Sequence, residues 1–156
     1  MFIFQQFDIF IANITTLEDG MAGGRRRVRN VYWGAFVIDW FKHLQDHELS
    51  AADYRILFYL CAKMITDDNR AYVRQKAISI DLAMDKGNVS RCLKKLCAKQ
   101  FIAKTDGGYM INPHLFYAGN GVGYRDDLRD DFDNLLNERP RFSMNEDEHT
   151  LIEYPE

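Results

Sequence analysis

The stretch from Arg74 to Asn112, RQKAISIDLAMDKGNVSRCLKKLCAKQFIAKTDGGYMIN, constrains the fold more than any other part of the chain. It predicts a short helix over Arg74–Leu82, a tight turn, a second helix and a two-stranded hairpin. The second helix is predicted to begin at Asp85, whose carboxylate can accept the orphan amide protons of a first turn. Val89, Leu93 and Leu96 then recur at spacings of four and three, with Cys92 beside them, and make one apolar face. The opposite side carries Lys86, Asn88, Ser90, Arg91, Lys94 and Lys95. Phe101–Lys104, Thr105–Gly108 and Tyr109–Asn112 read as strand, turn and strand. Asp106-Gly107 is expected to supply the positive φ of a tight hairpin.

A helix with an apolar back and a front of amide, hydroxyl and cationic groups suits the DNA major groove. A charged front alone would be only a solvated face, so local charge decides. From Arg74 to Lys104 eight basic side chains stand against Asp81 and Asp85, in a chain whose formal net charge is −3. The expected fold class is therefore mainly α with a small β-hairpin wing, a winged helix-turn-helix. In that frame Ser90, Arg91, Lys94 and Asn88 are expected to reach base edges. Arg74, Gln75 and Lys76 in the preceding helix, with Lys86, Lys95 and Lys104, are expected to meet phosphates. Gly87 costs the helix about 1 kcal/mol relative to alanine. It either lets the backbone approach a phosphate or is merely tolerated in an exposed first turn.

Upstream, Ser50-Ala51-Ala52-Asp53 forms a loose capping box with the shorter Asp in place of Glu. It opens a helix from Ala51 to about Met64 that is apolar nearly all round and so belongs at the centre of a core. Val31–Val37 predicts a strand, and Trp40, Phe41 and Leu44 a helix over about 39–45. Asp67-Asp68-Asn69 is a turn, and Ala71-Tyr72-Val73 a short strand able to pair with the wing. Pro113 ends the last hairpin strand, after which Leu115, Phe116 and Tyr117 are expected to tuck back against the core. Gly119–Gly123 has the composition of a flexible linker.

The ends differ in character. Residues 1–30 read as a flexible extension whose Arg25, Arg26, Arg27 and Arg29 could follow a phosphate backbone. The first thirteen residues are apolar but lack a basic start and a cleavage site, and MAGGRRRVRN from Met21 also looks like a natural start. The folded domain is expected over 31–119. Residues 120–156 form an acidic extension with eleven acidic and four basic side chains. Within it Leu128, Phe132, Leu135 and Leu136 predict an amphipathic helix over 125–137, suited to capping the core, pairing in a homodimer or receiving a partner. After Pro140 the composition suggests a disordered acidic end.

Several function classes are disfavoured. Cys61, Cys92 and Cys97 show no metal or disulfide spacing, which suits a reducing cytoplasm. No run approaches the ~18 apolar residues of a membrane span. His43 and His47 are four apart but lack the glutamate of a zinc-protease motif, and 67–69 lacks the remaining ligands of a calcium loop. The four histidines include no His-x-His pair, as a nicking enzyme of rolling-circle replication would need. No enzyme, cofactor or metal is expected.

LSAADYRILFYLCAKM (Leu49–Met64), GNVSRCLKKL (Gly87–Leu96) and GGYMINPHLFYAG (Gly107–Gly119) together resemble the RepL family of plasmid replication proteins, over about Phe36–Gly119. The middle piece is shared with many winged-helix regulators, including those resembling MarR. The ending is more particular. The resemblance implies a sequence-specific, non-catalytic DNA-binding protein required for plasmid replication and maintenance. Its expected partners are origin duplex, host replication machinery and a second copy of the chain. A winged-helix repressor uses the same residue chemistry and is the alternative. Gln100 stands where the family pattern usually has glycine, and a residue with a Cβ resists a left-handed helix cap.

Overall fold

The computed structural model of the chain describes residues 34–36, 48–65, 67–118, 126–145 and 150–154. All lie in one compact unit, Val31–Glu156. The predicted 39–45 helix, His43, His47, His149, the arginine arm, the apolar amino terminus and the 119–123 linker lie outside the described residues. The elements are β1 (Gly34–Phe36), α1 (Ala51–Lys63), β2 (Arg70–Ala71), α2 (Gln75–Asp81), α3 (Lys86–Ala98), β3 (Ile102–Lys104), β4 (Tyr109–Ile111), β5 (Phe116–Ala118), α4 (Asp126–Leu135), β6 (Phe142–Asn145) and β7 (Thr150–Glu153). Among the described residues this is a mixed architecture of four helices and a few short antiparallel strands.

α1 starts on the predicted capping box. The Ser50 hydroxyl accepts from the Asp53 amide, and Asp53 Oδ2 accepts from the Ser50 amide at 2.7 Å. Ile56, Leu57 and Leu60 are fully buried and pack with Ile78 of α2 and Val89, Leu93 and Leu96 of α3. The helix is not wrapped all round, because Phe58 stays 47% exposed. β4 lies between β2 and β3 in an antiparallel sheet with Lys104 opposite Tyr109. One face of this sheet, with Ala71, Ile102, Tyr109 and Ile111, joins that core.

The α2–α3 turn closes by backbone bonds from Met84 to Ser79 and from Ala83 to Ile80, the two-bond pattern that ends many helices on a left-handed residue. Here that residue is Ala83, at φ 50°. A Cβ in this conformation costs roughly 1–2 kcal/mol, offset in part by the chain entropy that glycine would restore to the unfolded state. Ala83→Gly is therefore expected to raise unfolding free energy by about 0.5–1 kcal/mol, measured by urea denaturation. Unchanged or lowered stability would refute the strain.

α3 ends in the same way, with bonds from Phe101 to Leu96 and from Gln100 to Cys97. Gln100 does adopt the left-handed cap, at φ 56°. Its side chain supplies what glycine could not. Nε2 donates to the Arg139 carbonyl at 3.0 Å, and Oε1 accepts from the Arg141 amide at 2.6 Å. The strained cap thus also holds the carboxy-terminal segment.

The hairpin turn carries a correction. Neither Gly107 nor Gly108 has φ in the left-handed range; a Cβ on Gly108 would instead lie 2.0 Å from the Ala71 carbonyl oxygen. Close approach of β2, not φ, demands glycine there. Leu115 and Phe116 are buried as expected, but 116–118 forms a strand paired with β1 that the sequence reading missed.

α4 lays Leu128 and Phe132 on Ala103 and Met110, the outer face of the β3–β4 hairpin, so its apolar stripe is occupied within the chain. The expected disorder after Pro140 is also overturned. β6 and β7 form an antiparallel hairpin, and Phe142, 1% exposed, packs its ring 5.9 Å from Phe101. The many acids had masked one well-placed aromatic. His114 fastens these parts together: its Nδ1 accepts from the Met144 amide at 3.1 Å. That leaves Nε2 to donate to Asp133 of α4, also at 3.1 Å.

Candidate nucleic-acid interface

α3 presents its front because its back is spent on the core. Val89, Cys92, Leu93 and Leu96 are buried, which leaves Gly87, Arg91, Lys94 and Ala98 exposed at spacings of four, three and four. Ser90 and Asn88 flank this row, half-buried. Asp85 caps the helix as predicted, accepting from the Gly87 and Asn88 amides at 2.8 and 3.2 Å. A Cβ on Gly87 would press within 3.1 Å of that carboxylate. The cap is therefore a reason for glycine that the sequence did not suggest, beside close approach to a phosphate and mere tolerance in an exposed turn.

Arg74, Gln75 and Lys76 at the start of α2, Lys86 at the start of α3 and Lys104 at the end of β3 are all exposed. Gln75 Nε2 donates to the Tyr109 hydroxyl at 3.2 Å, tying α2 to the hairpin. Among the described residues no ion pair engages Arg74, Lys76, Lys86, Arg91, Lys94 or Lys104. The two acids of this basic stretch are occupied, Asp85 as the cap and Asp81 as acceptor of the Tyr59 hydroxyl at 2.6 Å. Among the described residues the exposed cations thus face solvent without an ion-pair partner.

Lys95 departs from this group. Its ammonium donates to Asp53 Oδ2 and to the Glu48 carbonyl, both at 3.0 Å. The Asp53 carboxylate is fully buried. Burial alone would push its pKa up. Hydrogen bonds from the Ser50 amide, Cys92, Lys95 and the Ser50 hydroxyl outweigh burial and hold it below its ordinary value. Lys95 therefore anchors α3 to the start of α1, and the phosphate role expected of it is withdrawn. Lys99, counted in the basic stretch, is likewise paired with Glu48 at 2.7 Å.

Cys61, Cys92 and Cys97 are free thiols, and burial pushes them up to about 12, 11 and 11 respectively, so they stay protonated at neutral pH. Among the described residues no group of three or more His, Cys, Asp and Glu could hold a metal ion. No described helix is long and apolar enough to cross a membrane. Sequence reasoning overlooked Arg70 and Tyr72, which border the hairpin turn beside Lys104. The signal available for them was the short strand at 71–73, read as able to pair with the wing.

The geometry defines a small mixed α/β protein with an exposed cationic helix pair and hairpin, whose exposed cations form no ion pair among the described residues. The model of the family described as "Firmicute plasmid replication protein (RepL)" matches residues 32–153, and the chain belongs to that family. The matched span extends past the motifs at 49–119 to take in α4 and the β6–β7 hairpin. Among curated proteins and solved structures no match is found.

Proposed function

We propose that α2, α3 and the β3–β4 hairpin form a winged helix-turn-helix that binds the plasmid origin as duplex DNA. In this reading α3 lies in the major groove, with Arg91, Lys94, Ser90 and Asn88 toward base edges. Arg74, Gln75, Lys76, Lys86 and Lys104 hold the flanking phosphates. The protein performs no catalysis of its own; it marks the origin, where host replication machinery is its further partner. The observation that carries the reading is the exposed row Gly87, Arg91, Lys94, without ion pairs among the described residues, on a helix whose other face is fully buried.

The test is fluorescence anisotropy on duplexes cloned from either side of the gene and on scrambled duplexes. Arg91→Ala is expected to cost about 1–3 kcal/mol on the preferred site and to narrow the preference over scrambled DNA. Lys76→Ala is expected to weaken both duplexes equally and to reduce the salt slope by about 1. If the intact chain shows no preference for any flanking duplex, or ignores duplexes at low salt, the reading fails.

A further inference from the structure

A cavity of about 230 Å³ opens beside the turn of the β3–β4 hairpin. That is below the size of pockets that enclose drug-sized ligands and suits a single nucleobase. Tyr72 forms one wall. It is 52% exposed, yet it is held in place. Its hydroxyl donates to Asp68, and its ring lies so close to the turn that a Cβ on Gly107 would come within 3.0 Å of it. Arg70 and Lys104 add two cations to the lining, and Asp106 an acceptor. Arg70 keeps one Nη2 bond to Asp131 at 2.7 Å. Its Nε, however, and the hydroxyl of Thr105, which also lines the cavity, are buried without a hydrogen-bond partner among the described residues. Buried polar atoms are rarely left so.

We propose that this cavity receives one unpaired nucleotide of single-stranded DNA. The base stacks on the Tyr72 ring, which is already fixed and so loses little entropy on binding. The phosphate lies against Arg70 and Lys104, and a turn of the Arg70 and Thr105 side chains toward the cavity gives Nε and the hydroxyl the partners they lack. A duplex cannot offer the face of a base to a wall of this kind, so the site responds to separated strands. α3 and this cavity then divide the work at an origin between the paired and the opened state. The inference takes from the replication reading only its nucleic-acid partner.

The test uses the full chain, with anisotropy of a labelled fifteen-nucleotide thymidine oligomer and of a flanking duplex, at low salt. Tyr72→Ala is expected to weaken the oligomer about 5- to 100-fold and the duplex less than about twofold. Thr105→Val is nearly isosteric and removes a hydroxyl that makes no hydrogen bond among the described residues. It is expected to leave the melting temperature unchanged while weakening the oligomer about threefold or more. Arg91→Ala shows the reverse profile, losing duplex and keeping oligomer. Oligomer affinity unchanged in both Tyr72→Ala and Thr105→Val, or equal loss on oligomer and duplex in Tyr72→Ala, overturns the proposal. Wild-type protein that binds the oligomer but no duplex would support it while sinking the duplex reading.

Discussion

Replacing Asp53 with alanine is expected to lower the unfolding free energy by about 2–3 kcal/mol, read from urea denaturation at neutral pH. The carboxylate is fully buried and serves two elements at once, closing the α1 capping box and receiving Lys95 of α3. Loss of a cap alone costs about 1 kcal/mol. Breaking a fully buried ion pair costs about 3–5 kcal/mol, but the Lys95 side chain is 40% exposed, so only part of that applies here. Lys95→Ala is expected to cost less, because its ammonium can be replaced by water, and the double variant less than the sum of the two. The effect depends on pH in one direction. The folded-state pKa of Asp53 lies below its ordinary value of 3.8. Its contribution is therefore complete above about pH 4 and is lost as pH falls through the lower folded value. The wild-type and Asp53→Ala curves should converge in strong acid. Curves that stay parallel to the acid limit would show that charge is not what the site supplies.

Where the sequence could be read, local rules coincided with packing. The caps at Ser50 and Asp85 are side-chain chemistry acting within three residues, and the α3 stripe is buried on the residues its period picks out. What escaped was set by partners far along the chain. Lys95 looks like any front-facing lysine until Asp53, forty-two residues earlier, is folded against it. Gln100 argued against a left-handed cap on local grounds, and only the backbone at 139–141 explains why it is accepted. Phe142 sits among too many acids to advertise a strand, yet Phe101 gives it a place in the core. The candidate interface was therefore legible as a set of cations. Which of them remain unpaired was not, because that depends on contacts no local pattern records.

Asn69 is the clearest such case, since the sequence marks it only as a turn residue. It is fully buried at φ 58°. Its Nδ2 donates to the carbonyls of Ile111 and Phe116, each at 2.9 Å, and its own carbonyl accepts from the Ile111 amide. One side chain thus joins the turn before β2 to the end of β4 and the start of β5, which in turn pairs with β1. Alanine would leave two buried carbonyls without this donor, at about 1–3 kcal/mol each before any water enters. It would also place a Cβ in the left-handed region. The expected loss for Asn69→Ala is about 3 kcal/mol, or roughly 6–12 °C in melting temperature for a chain of this size. Asn69→Gly removes the strain but not the missing bonds and should recover about 1 kcal/mol of that loss. Asn69→Asp should be the worst of the three, because it turns a second acceptor toward two carbonyls. If Asn69→Ala melts within a degree or two of wild type, or if aspartate is tolerated better than alanine, the hydrogen bonds are not what holds the β4–β5 connection in place.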